Sequence, residues 1–396
     1  MKTWNGSFAL SNRTWSAQPP EIDASADALV LVFGSPEHAS LAGAVEALVA
    51  RYPNAVVAGC STSGEIRGTQ VSDDSLAVSV TTFASTTVRH AVVEVPDPTG
   101  SADAGAELGR QLAQPGLRAV FVLSDGLGVN GSELVRGLNG ALPRGVVVTG
   151  GLAGDGTRFE KTWVLAGGAL RSQVVVAVGL YGEHLLVGHG SKGGWDAFGP
   201  ERTITRSAGN VLFELDGKPA LDLYKQYLGA KAAELPSSGL LFPLALRDPS
   251  DPGKLLVRTL LAVDEEAKSM TFAGDLPEGQ LVQLMKADFD RLVDGASQAA
   301  SIADVGTEAD SLVVAVSCVG RRLVLGERLE EELEAIRDVV STENIVGFYS
   351  YGELSPFGQG ACDLHNQTMT LTVFTESEFS RATPWPCSGS AASGSP

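Results

Sequence analysis

A strand, a helix, a second strand and then a loop of the form Gly-x4-Gly-Glu occur twice in this chain, and that recurrence constrains its fold more than any other feature. Residues 59–66 read Gly-Cys-Ser-Thr-Ser-Gly-Glu-Ile and residues 347–354 read Gly-Phe-Tyr-Ser-Tyr-Gly-Glu-Leu, so Glu65 and Glu353 stand 288 positions apart with both glycines in step. The first copy follows apolar runs at 28–33 and 55–58 that flank a stretch, 37–51, whose Leu41, Val45, Leu48 and Val49 have helical spacing. The second follows the same succession at 311–316, 327–340 and 345–348. A looser third copy, Gly150-Gly151-Leu152-Ala153-Gly154-Asp155, follows 119–123, 132–142 and 146–149. One turn geometry used repeatedly would place equivalent loops around a shared cleft. The plainer reading is that each acid caps its own loop by accepting backbone N–H groups.

Strand-helix-strand units joined to hairpins predict an α/β fold with mixed sheets, α+β being the alternative. With 396 residues the chain is too long for one ordinary core, and two domains are expected. The expected division is an N-terminal arm at 1–26, a first domain at 27–222, a second at 223–378 and a disordered tail at 379–396. Within the first, 76–83 and 87–95 are expected to pair as a hairpin, as are 163–166 and 170–180 around Gly167-Gly168. Within the second, a helix is expected at 280–296, and the five acids among residues 327–334 read as a solvated helix face.

Charge and cysteine usage bound the partners. The formal net charge of −18 repels phosphate backbones and anionic lipid, which argues against nucleic acid and membrane surfaces. The N-terminus lacks the apolar core of a secretory signal. Apolar runs fall far short of the roughly 20 residues that span a bilayer. Four scattered cysteines, Cys60, Cys318, Cys362 and Cys387, fit a reduced cytoplasmic protein without a disulfide framework.

The chain resembles the FIST family, bacterial sensory proteins with paired FIST N and FIST C domains. The resemblance rests on residues 57–66, Ser124-Asp125-Gly126, Gly150 to Asp155 and residues 214–220 in the first part. In the second it rests on Ser317-Cys318-Val319-Gly320-Arg321, residues 347–353 and Leu364-His365-Asn366-Gln367-Thr368. It implies a cytoplasmic module that binds a small molecule, an amino acid among the candidates, and signals in two-component or chemotaxis pathways. Some members resemble haem-binding nitric-oxide sensors acting on a histidine kinase. After the second domain only a short tail is expected, without a kinase, cyclase or methyl-accepting segment, so the output is expected to pass through a separate protein.

Gly126-Leu127-Gly128-Val129-Asn130-Gly131 satisfies G-x-G-x-x-G, but Asp125 would face a pyrophosphate, so a turn with Ser132 capping a helix is the better reading. Cys60 and Ser61 supply nucleophiles for a hydrolase or transferase, yet each needs a base within reach. Cys362 and His365 have zinc-like spacing without a second pair, and His365 is the candidate proximal ligand if haem is bound. Arg321 suits a ligand carboxylate, against a salt bridge to Glu327 or Glu353. The resulting candidate ligand set, for a non-enzymatic sensor, is Cys60, Ser61, Thr62, Glu65 and Asp155 with Cys318, Arg321, Glu353, His365 and Asn366, around an interdomain cleft.

Overall fold

Each strand-helix-strand unit folds as a parallel strand pair, and there are three of them. Ala28–Gly34 runs parallel to Val56–Ser61 across the helix His38–Arg51. Leu117–Ser124 runs parallel to Val147–Leu152 across Gly131–Ala141. Leu312–Cys318 runs parallel to Ile345–Ser350 across Leu329–Val340. In each unit an antiparallel strand flanks the first strand: Ser75–Thr82, Val174–Tyr181 and Met369–Glu376 in turn. The computed structural model describes residues 1–377 apart from 249, 250, 307, 309 and 359. The expected tail at 379–396, with Cys387, lies outside the described residues.

The units are interlocked by exchange. Glu65–Arg67, leaving the first unit, pairs with Ile345–Ser350 of the third. Gly352–Pro356, leaving the third, pairs with Val147–Leu152 of the second. Val164–Ala166, leaving the second, pairs with Val56–Ser61 of the first. The ring is thereby closed. Side-chain alternation then builds two kinds of core. Leu29, Leu31, Phe33, Phe121, Leu123, Val314, Val316 and Phe348 meet in one central cluster, where Phe33 stacks on Phe348 with ring centroids 4.8 Å apart. Val30 and Val32 point the other way, onto Leu41, Val45 and Leu48 of their own helix.

The expected α/β class with mixed sheets is what the molecule has. Strands from both sides of residue 222 share sheets: Leu185–Lys192 pairs along its length with Met369–Glu376. In the expected N-terminal arm, Lys2–Ala9 is a strand paired with Ser75–Thr82. Residues 195–287 contribute an additional eight-stranded sheet with its own core around Leu212, Tyr224, Leu246 and Phe272.

Several local expectations are corrected. Ser75–Thr82 and Thr87–Glu94 do not form a hairpin; the first joins Ala28–Gly34, and the second crosses to Val174–Tyr181 in a neighbouring sheet. Residues 170–180 hold two strands, broken where Gln173 takes a φ of 56° and its amide donates to Asp125. Residues 280–296 divide into the strand Leu281–Ala287 and the helix Phe289–Ala303, because the Asp288 carboxylate caps the helix by accepting from the Arg291 amide. Asn130, not Ser132, caps Gly131–Ala141, accepting from the Glu133 amide.

The first glycine of each loop copy has the same cause. A Cβ at Gly59, Gly150 or Gly347 would lie closer than 3.0 Å to the carbonyl of Val32, Val122 or Ala315, the residue paired with it on the adjoining parallel strand. Gly59→Ala and Gly347→Ala should therefore each lower stability by about 1–3 kcal/mol, the usual cost of overpacking, read as a reduced urea midpoint. Unchanged midpoints would contradict this packing.

Candidate functional site

Glu65 and Glu353 occupy equivalent positions and have equivalent partners. The Thr62 hydroxyl donates to Glu65 Oε1 (2.6 Å) and Ser75 to Oε2 (2.7 Å). Ser350 donates to Glu353 Oε1 (2.6 Å) and Thr368 to Oε2 (2.9 Å). In both, one hydroxyl comes from three residues earlier and the other from where the flanking antiparallel strand begins. Both side chains are buried. Burial pushes each carboxyl up to about 8, against the lowering effect of those hydroxyls. Two buried acids are thus held near neutrality at the ends of the parallel strands, where α/β sheets place ligand sites. Asp155, in the looser copy, differs: the amides of Phe159, Glu160 and Lys161 and the Tyr351 hydroxyl all donate to it. Burial works against ionisation there, but these hydrogen bonds outweigh it and hold the carboxyl below its ordinary value. Asp155 caps its own loop.

The remaining candidates separate by what their side chains touch. Cys60 is fully buried in the central cluster, and burial raises its thiol well above the ordinary range. Ser61 Oγ accepts from the Trp163 amide at 3.0 Å. Neither presents a nucleophile to solvent. Arg321 is fully buried and faces no cleft; Nη2 pairs with Glu332 at 2.7 Å, and the guanidinium also donates to the carbonyls of Gly193 and Leu292. Its salt-bridge partner is neither Glu327 nor Glu353. Glu332 corrects the reading of 327–334 as wholly solvated, since it is buried and also accepts from Tyr349 at 2.6 Å. His365 is buried, its Nε2 lies 3.0 Å from the Ser355 carbonyl, and it lines neither of the two clefts described below, so no space for a haem beside this imidazole is seen there. Among the described residues no group of three or more His, Cys, Asp or Glu could hold a metal ion.

Cys318 lies beside Glu353; burial foremost, then that carboxylate, pushes its thiol up to about 12. Asn366, next to His365 in sequence, is fully buried, and neither carboxamide atom has a partner among the described residues. The structure thus gathers Cys318, Glu353, His365 and Asn366 at one end of the third unit and Cys60, Ser61, Thr62 and Glu65 at the matching end of the first.

Two clefts open beside these ends. One contains Thr62, Ser63, Glu65, Asp73, Arg158 and Arg322. Here Arg322 crosses from the third unit to pair with Asp73 at 2.6 Å and to donate to the Ser63 carbonyl. The other, of about 290 Å³, lies where the 126–131 loop meets Cys318, Tyr351 and the additional sheet. Leu127, Leu152, Phe159, Leu261 and Phe272 give it an apolar wall; Thr259 and Asp275 supply polar groups. Phe159 stacks on Tyr351 with centroids 4.6 Å apart. The glycine-rich loop is closed to phosphates, because Asp125 Oδ1 already accepts from the amides of Leu127 and Gly128. Sequence reasoning missed Arg322, Tyr351, Thr259 and Asp275. The first two sit inside or beside recognised motifs, whereas nothing in the sequence marks the others.

The raised carboxyls fix a pH dependence. Between the ordinary value of 4.5 and about 8, the folded state binds more protons than the unfolded chain at Glu65 and Glu353. Their contribution to stability is complete below 4.5 and declines as pH rises through 8. Thermal melts of Glu65→Gln/Glu353→Gln, whose amides mimic neutral acids, should therefore fall less than wild type between pH 5 and 8. Parallel curves would contradict this assignment.

The solved structures that resemble this chain include a chorismatase (10% identity, 94% of this chain and 97% of that one, TM-score 0.32). Another is a cyanuric acid hydrolase from A. caulinodans (13% identity, 74% and 99% coverage, TM-score 0.18). Scores this low carry no argument. An uncharacterized protein of Methanocaldococcus jannaschii is 25% identical over 244 residues, 52% of this chain and 45% of that protein, so the match spans under half of that relative's length. Family models match over most of the chain, the FIST N domain at residues 28–218 and the FIST C domain at 220–356, and both are small-ligand sensory domains of signal transduction. The chain belongs to the FIST family.

Proposed function

We propose that this protein is a cytoplasmic sensor that takes a small molecule into the 290 Å³ cavity and reports its occupancy to a separate partner, such as a histidine kinase or chemotaxis protein. The observation that carries this reading is the wall itself. Gly126, Leu127 and Asn130 come from the FIST N match; Thr259, Asp275, Cys318 and Tyr351 come from the FIST C match. The Thr259 hydroxyl, buried in that wall, has no partner among the described residues. Leaving such a group unpaired costs about 1–3 kcal/mol, which a ligand hydrogen bond would recover.

Wall chemistry narrows the ligand. Asp275 is the one charged residue among those that line the cavity, and the rest is predominantly apolar. An apolar amino acid suits it, with its ammonium at Asp275 and its side chain against Leu127, Phe159 and Leu261. Asn130 Nδ2 donates to Asp275 Oδ1 at 3.2 Å, joining the two sides of the cavity. A ligand competing for Asp275 would alter that link and shift the population of arrangements a partner can read. No helix among the described residues is long and apolar enough to cross a membrane.

A thermal-shift panel of amino acids tests this. An apolar amino acid at about a hundred times its Kd should add about 2.7 kcal/mol of stability. Thr259→Val should weaken the effect, and Leu261→Trp, which narrows the cavity, should abolish it. A melting temperature indifferent to the whole panel would overturn the reading.

A further inference from the structure

Arg258 ends the strand Asp251–Arg258, immediately before Thr259, and the two neighbours line different cavities. Thr259 borders the interdomain cavity, whereas Arg258 lines another, of about 370 Å³, whose wall also includes Asp275. Arg258 is 96% buried. Its Nε donates to the Asp275 carbonyl (3.0 Å), and Nη1 donates to the carbonyls of Val257 (3.2 Å) and Leu364 (3.0 Å). Among the described residues no carboxylate comes within 4.0 Å of the guanidinium, and Nη2 has no hydrogen-bond partner. Gly274 makes room for it, since a Cβ there would lie 2.9 Å from Arg258 Nε.

A buried guanidinium held only by carbonyls has no carboxylate in contact with it to offset its desolvation. Burial lowers Arg258 to about 10, against the raising effect of the more distant Asp275 and Asp363, and leaves it cationic at neutral pH. We propose that this cavity is a second binding site, for a small monocarboxylate with an apolar body. The carboxylate meets Arg258 Nη2. Ser132, whose Oγ accepts weakly from the Asp275 amide at 3.5 Å, is positioned to donate its hydroxyl proton. Val135, Leu246, Leu256 and Leu364 enclose the apolar body. Polyanions are disfavoured, because Arg136 is already paired with Glu133 and Arg258 alone is left to meet an anion, beside Asp275 and Asp363. The two cavities share Asp275, but the anchor proposed here is Arg258, which the interdomain cavity lacks.

Calorimetric titration of the full chain with isovalerate, its neutral isostere isovaleramide and inorganic phosphate tests the proposal. Isovalerate should bind at least about tenfold tighter than isovaleramide, as expected for a charge-assisted hydrogen bond, and phosphate should not bind. Arg258→Gln should remove the preference for acid over amide, and Leu261→Trp, in the other cavity, should leave isovalerate binding intact. Should Arg258→Gln fail to fold, the acid-against-amide comparison on the wild-type chain still decides. No isovalerate binding, equal binding of the amide, binding of phosphate, or loss of isovalerate binding in Leu261→Trp would each overturn it.

Discussion

The close approach of one glycine to the neighbouring strand's carbonyl, repeated at Gly59, Gly150 and Gly347, is the constraint on which the rest of the structure depends. It brings the second strand of each parallel pair against the first at the point where the chain is about to leave its own sheet. Further along, the chain pairs in another unit's sheet, and three such exchanges close the ring. The buried acids follow from the same geometry. Glu65 and Glu353 stand at the first residues after the crossing, where hydroxyls from the flanking strand reach them and water does not.

Adjacent residues in this frame serve opposite ends. Arg321 is drawn into the third unit by Glu332 and two carbonyls, and breaking that pair would leave a buried charge uncompensated. Arg322, one position on, reaches across to Asp73 and Ser63 of the first unit. Arg258 and Thr259 divide in the same way between two cavities. The FIST N and FIST C segments therefore share sheets, a central core and the walls of the interdomain cavity. A ligand held there would touch both.

Much of this was legible in the sequence. The three strand-helix-strand units and the equivalence of Glu65 with Glu353 came directly from apolar periodicity and glycine spacing, which report local geometry. Partner choice did not. Residues 76–83 and 87–95 read as a hairpin because they are adjacent and apolar, yet each buries its alternate residues in a different sheet. Glu332 read as solvated because its neighbours are acidic, whereas the helix turns that one residue inward to Arg321 and Tyr349. Cys60, Ser61 and Arg321 had suitable chemistry, but burial directs them to the core. Thr259, Asp275 and Arg258 were invisible, since the cavities they line form only where the additional sheet meets residues 126–139.

The central claim is that a small molecule occupies the cavity shared by the FIST N and FIST C segments. Native mass spectrometry of the full chain as purified tests it most directly, with wild type beside Leu261→Trp. The account predicts a small-molecule adduct, one per chain, that Leu261→Trp loses while remaining folded. A bare wild-type chain, or an adduct that both proteins retain equally, would contradict it.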